Sequence, residues 1–318
     1  MIEQERQQLI ADLKHVVCSA ALMTKEFVGT GEKEAGDQAA VDAMRSAFEE
    51  AVMDAIVRVG EGEKDEAPML FVGEELGNGS GLKLDIAVDP VEGTSLMASG
   101  MPNAIAVVAA TDRGGFWDAG SAYYMNKIVV GPQAKGVIDI SRTTSENLQA
   151  IARACGKKTE ELVVYVLDKP RHVELRKEIE ACGAKVDLHP EGDVIGSILA
   201  LMPNTGVDAL MGIGGAPEAV ISAAAVLALG GDMQGQLAPQ KEDERLTLIK
   251  EKKDIDQVLY LKDLVKADWA VFAAAGVTSG VLLKEPETTM NSQFLIDHLI
   301  IGPEAGHIEK NLYTLFTN

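Results

Sequence analysis

Helical periodicity over the first sixty residues, short Val- and Ile-rich apolar runs after residue 67, and alternating helix and strand beyond residue 145 predict an α/β protein. Leu9, Ile10, Leu13, Val16, Val17, Ala20 and Ala21 recur at the three-and-four spacing of an amphipathic helix over 7–28, which Gly29-Thr30-Gly31 ends. A second helix is expected from about Asp37 to Val59, with Val41, Met44, Phe48, Val52 and Ala55 on one face. The runs 69–72, 84–88, 104–110 and 127–130 fit buried strands. Residues 146–155 then read as helix, 162–167 as strand, 171–182 as helix and 185–188 as strand. After a helix at 194–202 and a short strand at 209–211, a helix over 217–229 is entered through Gly212-Ile213-Gly214-Gly215 and stopped at Gly230. The charged stretch 240–256 reads as a surface connection and 270–275 as one more strand. The length of 318 residues suggests two lobes. They are expected over 1–145 (α+β) and 146–318 (α/β), with the last segment able to pack back on the first lobe.

Charge and composition exclude several functions. The chain carries 49 acidic against 29 basic residues, a net charge of −20, and lacks the cationic balance that binding to nucleic acid or an anionic membrane demands. Aromatic residues are 4% of the chain, so the core must be built from Ala, Val, Leu, Ile and Met. The longest apolar stretch, around 219–229, is too short to span a bilayer, and the first residues do not read as a signal peptide, so a cytoplasmic protein is expected. Cys18, Cys155 and Cys182 lie too far apart for a CxxC pair and read as buried thiols. With no His-based metal motif, any metal chemistry must come from carboxylates.

Asp89-Pro90-Val91-Glu92-Gly93-Thr94 is the most informative string. An apolar strand there ends in two acids three residues apart, where the sheet fixes the backbone and the carboxylates can converge on a hard divalent cation. Pro90 restricts the turn, Gly93 permits close approach of a ligand, and Thr94 places a hydroxyl alongside. A plain turn with solvated acids and a capping threonine fits the same string. Upstream, 61–75 holds six acids and one lysine, a concentration of repulsion that bound cations would relieve, although solvated acids suffice for each one alone. Glu61, between glycines, has a setting from which to reach a metal. The run Gly212–Glu218 offers backbone amides at a helix start, where an anion is favoured and where Glu218 would also complement the dipole. Lys169-Pro170-Arg171-His172 and Glu191-Gly192-Asp193 follow strands, and a Lys and an Arg two apart can clamp an anionic group or form a solvated pair.

These motifs, in this order, are similar to the class II fructose-1,6-bisphosphatase family of the GlpX type, over about residues 10 to 285. The matching stretches are Gly60–Leu70, the DPVEGT segment, Lys169–His172 and Gly212–Glu218. The resemblance implies a layered α/β/α/β/α sandwich like that of the lithium-sensitive sugar phosphatases, inositol monophosphatase-like in architecture. It implies metal ligands at Asp37, Glu61, Asp89, Glu92 and Glu218. It places sugar-phosphate contacts at Glu92, Gly93, Thr94, Tyr124, Lys169, Pro170, Arg171, Glu191, Gly192, Asp193 and Gly215. Without it, Asp37 would pass as a helix N-cap and Tyr124 as a strand-edge aromatic. Glu32 and Glu191 stand where the family commonly has Asp, and the last thirty residues match weakly.

The activity so implied is Mn²⁺- or Mg²⁺-dependent hydrolysis of the 1-phosphate of fructose 1,6-bisphosphate, a gluconeogenic step, by a homo-oligomer. Thr94, Glu61 and Lys33 would be catalytic: Thr94 orienting water, a carboxylate taking its proton, Lys33 assisting the phosphate. Lys169 and Arg171 would hold the distal phosphate. The competing readings are a sedoheptulose-1,7-bisphosphatase, another sugar or inositol phosphatase, and a non-catalytic sugar-phosphate sensor.

Overall fold

The computed structural model of the chain describes residues 2–60, 70–289 and 293–316. Its first part holds α1 (Glu3–Met23), α2 (Lys33–Glu50), β1 (Met53–Val59), β2 (Glu75–Leu76), β3 (Leu82–Glu92), α3 (Thr94–Ser99) and β4 (Ile105–Asp112). Next come β5 (Tyr124–Val130), α4 (Thr144–Ala154), β6 (Val163–Leu167), α5 (Val173–Ala181), β7 (Lys185–His189) and α6 (Asp193–Leu201). They are followed by β8 (Ala209–Gly215), α7 (Ala216–Leu229), β9 (Asp232–Leu237), α8 (Glu242–Lys250), β10 (Val258–Tyr260) and α9 (Leu261–Leu264). The last elements are β11 (Val271–Gly276), β12 (Glu287–Thr288), β13 (Gln293–Ile301) and β14 (Ile308–Phe316).

Two compact units divide the chain: Met1–Phe116 with Ala267–Asn318, and Trp117–Lys266. The boundary expected near 145 therefore moves to 116, because β5 pairs with β8 and β9 and so belongs to the second unit. The segment from 267 belongs to the first, where β11 lies antiparallel to β4 and carries β13.

In the first unit the order is β12-β13-β11-β4-β3-β1-β2, with β14 on β13, eight strands among the described residues. The β1–β3 pair is parallel and its neighbours antiparallel, a mixed sheet. Helix α1 lies across β3, β4, β11 and β13, and α2 packs on α1 and β3. The fit depends on size. Ala106, Ala110, Ala273 and Ala275 keep the sheet face low, and Leu13, Met44 and Phe48 from the helices fill the space above it. A core with few aromatics is thereby closed. In the second unit the order is β10-β9-β5-β8-β6-β7, with α4 and α5 on one face and α6 and α7 packed on β5 and its neighbours. Both units thus combine a mixed sheet with packed helices, the α/β class expected.

Several local readings change. The second helix ends at Glu50, and Met53–Val59 is strand β1: its side chains alternate buried and half-buried, the period of two that a sheet imposes. Asp37 lies within α2, whose N-cap position is Glu32, so it is no cap. Leu70 turns at φ +53° where a strand was expected, and Met69 lies outside the described residues. Residues 240–256, read as connection, contain α8. The hairpin β13–β14 and strands β9 and β10 had no reading at all. Cys18 is buried, whereas Cys155 and Cys182 are half-buried and lie against the second core.

Candidate active site

In the first unit the site begins where β3 loses its register. Asp89 faces Val107 and Glu92 faces Ile105, so β3 carries one residue more than its partner across Pro90-Val91. Proline has no N–H for the ladder, which is why the irregularity falls there. The Asp89 Oδ1 accepts a hydrogen bond from the Val91 N–H at 3.1 Å and fixes the turn. Glu92 is buried at 4% exposure. At Gly93 the chain adopts φ +91°, and a Cβ would meet Leu96 Cδ1 at 2.9 Å, so only glycine turns the strand cleanly into α3. Thr94 opens α3, but the N-cap position belongs to Gly93 and no side-chain capping bond is made there. A capping role for Thr94 is excluded.

Lys33 and Asp37 are brought to α3 by backbone bonds. Gly29 N–H donates to Met97 O (2.9 Å) and Gly31 N–H to Ala98 O (2.8 Å), which pins the entry of α2 against α3. Lys33 Nζ donates to Ser95 Oγ at 3.2 Å, next to Thr94 in the chain. Burial pushes the Asp37 carboxyl above its ordinary value, against the pull of the Lys33 ammonium one turn away. Of the acids over 61–75, Glu61, Glu63, Asp65 and Glu66 lie outside the described residues. Glu74 is buried in an ion pair with Arg45 Nε (2.6 Å), a structural contact, and Glu75 is exposed on β2. Among the described residues no three His, Cys, Asp or Glu side chains come close enough to hold an ion together.

The second unit gathers its candidates at one end of the sheet. Tyr124 and Gly215 are register partners on β5 and β8. The Arg171 guanidinium lies 5.0 Å from the Tyr124 ring centroid, and its Nε donates to Ile213 O at 3.0 Å. Asp193 opens α6 and accepts the Gly215 N–H at 3.1 Å. The Glu218 carboxylate occupies the space a side chain at Gly215 would fill. Burial pushes that carboxyl up, Lys127 opposes the shift, and Asp193 adds to it. Gly192 turns at φ +104° beside the Tyr165 hydroxyl, which donates to Glu191 O at 3.2 Å. Lys169 and Pro170 lead from β6 into the turn that carries Arg171. An open cavity of about 520 Å³ in this unit is lined by Arg171, Arg142, Asn126, Thr144 and Gln236 among others.

The glycine run Gly212–Gly215 is not a loop. It is the end of β8, and its amides are engaged: Ile213 N–H donates to His172 Nε2 (2.7 Å) and Gly215 N–H to Asp193. The expected backbone cradle for an anion is absent at those two amides, and the glycines instead make room for His172, Asp193 and Glu218. His172 is buried, and its Nδ1 meets Leu167 O at 2.6 Å. A carbonyl only accepts and an amide only donates, so the ring is neutral with its proton on Nδ1. Burial holds its pKa below the ordinary value. Sequence reasoning named His172 within the Lys169–His172 motif without giving it a role, and missed Tyr165 and Lys127. Lys127 did leave a signal, a lysine heading a run otherwise apolar to Val130.

Residues 7–310 match the family described as "Bacterial fructose-1,6-bisphosphatase, glpX-encoded". The chain is 46% identical over 289 residues to "Fructose-1,6-bisphosphatase class 2" of Haemophilus influenzae, covering 87% of this chain and 86% of the relative. It is 43% identical over 292 residues to "Fructose-1,6-bisphosphatase 1 class 2" of Escherichia coli K12, covering 88% and 87%.

Proposed function

The chain belongs to the bacterial, glpX-encoded fructose-1,6-bisphosphatase family, and from that premise we propose that it hydrolyses fructose 1,6-bisphosphate to fructose 6-phosphate and phosphate. The family is one of metal-dependent phosphatases. The observation that carries the reading is the convergence of Tyr124, Arg171, Asp193, Gly215 and Glu218, from four separate segments of the chain, at one end of the second sheet.

The family resemblance assigns the metal to Asp37, Glu61, Asp89, Glu92 and Glu218, although no three of the described ones lie close enough together to hold an ion in this structure. Their donors are all carboxylate oxygens, which suit Mg²⁺ or Mn²⁺. The raised carboxyls of Asp37 and Glu218 support the assignment, since a buried acid is disfavoured as an anion until a cation joins it. Bound divalent cations supply Lewis acidity and lower the pKa of water. The Thr94 hydroxyl, free of a capping bond, orients the attacking water, and a carboxylate, assigned to Glu61 from the family resemblance, takes its proton. Lys33, held at Ser95, faces the phosphoryl oxygens. Lys169 and Arg171 hold the distal phosphate, with Tyr124 under the guanidinium. Glu191, Gly192 and Asp193 meet the sugar hydroxyls. Glu191 reaches one methylene further than the Asp that the family commonly carries.

Among the described residues no helix is long and apolar enough to cross a membrane. A gluconeogenic role in the cytoplasm, as a homo-oligomer, completes the proposal. The test is release of phosphate from fructose 1,6-bisphosphate with Mn²⁺ or Mg²⁺, beside sedoheptulose 1,7-bisphosphate and inositol phosphates. Release should stop on chelation and in Glu92→Gln. No release under any divalent cation would overturn the reading in favour of a sensor.

A further inference from the structure

The side chain of Lys127 is fully buried, at 0% exposure, in the middle of β5. A buried ammonium is costly unless paired and fully hydrogen-bonded. On β5 it points to the face opposite Tyr124 and Asn126, toward α6. Its Nζ donates to Asp193 Oδ2 and to Gly215 O, the latter at 2.8 Å. The same Oδ2 accepts the Gly215 N–H at 3.1 Å. Lys127, Asp193 and Gly215 therefore form a closed ring that ties the first residue of α6 to the last residue of β8. Gly214 completes the recess, because a Cβ there would lie 2.8 Å from Asp193 Oδ1 and closer to the rest of the carboxylate.

We propose that Lys127 is a positioning residue for sugar-phosphate binding, acting through Asp193 and Gly215 to fix the Gly192-Asp193 turn against the end of β8. The proposal rests on the phosphatase reading above. Stability alone does not call for such a pair, since well-packed apolar residues in place of a buried ion pair are often neutral or stabilising. What the lysine supplies is the second of two donors on one Asp193 oxygen, so that the carboxylate is held in a single orientation toward a hydroxyl ligand. Both groups that Lys127 holds are themselves sugar-phosphate candidates, which is why its effect should appear in binding.

The experiment compares wild type, Lys127→Met, Asp193→Asn and the double variant. Three quantities are read with saturating Mn²⁺: KM and kcat for fructose 1,6-bisphosphate, the Kd of fructose 6-phosphate by calorimetry, and thermal melting. Lys127→Met should raise KM and Kd about tenfold or more, with kcat changed less than about threefold. The double variant should bind no worse than Asp193→Asn, because Lys127 acts through that residue. It leaves no unpaired buried charge, so it also serves if Lys127→Met fails to fold. Wild-type KM and Kd in Lys127→Met, with only the melting temperature lowered, would overturn the proposal. So would a double variant that binds more weakly than Asp193→Asn. A wild-type protein that releases no phosphate overturns the functional reading alone, and fructose 6-phosphate binding still decides the role of Lys127.

Discussion

Gly215→Ala displaces the Glu218 carboxylate while keeping the Gly215 N–H and C=O that serve Asp193 and Lys127. Gly215 sits at φ −68° and ψ 141°, where any residue is comfortable, so a methyl group brings no backbone strain. The loss of glycine freedom in the unfolded chain even favours the variant by about 0.4–1 kcal/mol. The new carbon, however, would lie 2.6 Å from Glu218 Oε1 and closer to Oε2 and Cδ, where ordinary contact begins near 3.4 Å. The obstacle is the flexible end of a side chain, so the fold survives and the carboxylate must swing away by about 1–2 Å to reach ordinary contact. A misplacement of about 1 Å in a catalytic constellation can cost about 100-fold. Phosphate release titrated against Mn²⁺ should show kcat/KM lowered by about that factor and a higher metal requirement. The melting temperature should stay within about 5 °C of wild type, since a net effect of about 1 kcal/mol shifts it only a few degrees. A folded Gly215→Ala enzyme within about threefold of wild-type activity at equal Mn²⁺ would refute the idea that Glu218 works from this position.

Thr94→Ala should lower kcat by about 100-fold or more with an unchanged melting temperature, because its hydroxyl caps no helix; an active variant would remove Thr94 from the chemistry. Phe48→Ala, at a fully buried position between α2 and the first sheet, should lower the urea-unfolding free energy by about 3–5 kcal/mol, and a loss below about 1 kcal/mol would contradict that packing. His172 titrates below the ordinary 6.5 because burial disfavours its charge, so below that pH the unfolded chain binds a proton that folded His172 excludes. Its contribution is present above pH 6.5 and is lost as the pH falls toward the folded value. The stability gap between wild type and His172→Gln should therefore narrow from about pH 7.5 to 5.5, and a constant gap would contradict the neutral buried ring.

The elements legible in advance were those whose pattern is local. Helix α1 was visible because Leu9, Leu13, Val16, Val17 and Ala20 report one buried stripe, and they are all buried in the structure. The β3–α3 turn was visible because Pro90 and Gly93 carry their conformational consequences with them. Met53–Val59 was misread because a strand buried on alternate positions, placed directly after a helix, can be scored as more helix when only Val52 and Ala55 are counted. Residues 212–215 do lead into α7, but the reading of their amides as an open anion site failed for a different reason. Glycine marks missing bulk, and whether that space serves a turn, a ligand or a neighbouring side chain depends on residues forty positions away, His172 among them.

The amino-acid sequence by itself determined the α/β class, the helix-facing core positions of the first unit, the acid-proline-glycine-threonine turn and the motifs that point to the family. The tertiary structure alone decided that residues 117–145 belong with the second unit, that Tyr124 stands opposite Gly215, that Arg171 lies over Tyr124, and that Lys127 is buried against Asp193. The physical reason is the range of the information. Periodicity records which side of an element leaves water, a property of neighbours in the chain, whereas strand pairing and buried ion pairs are set by partners 40 to 90 residues distant.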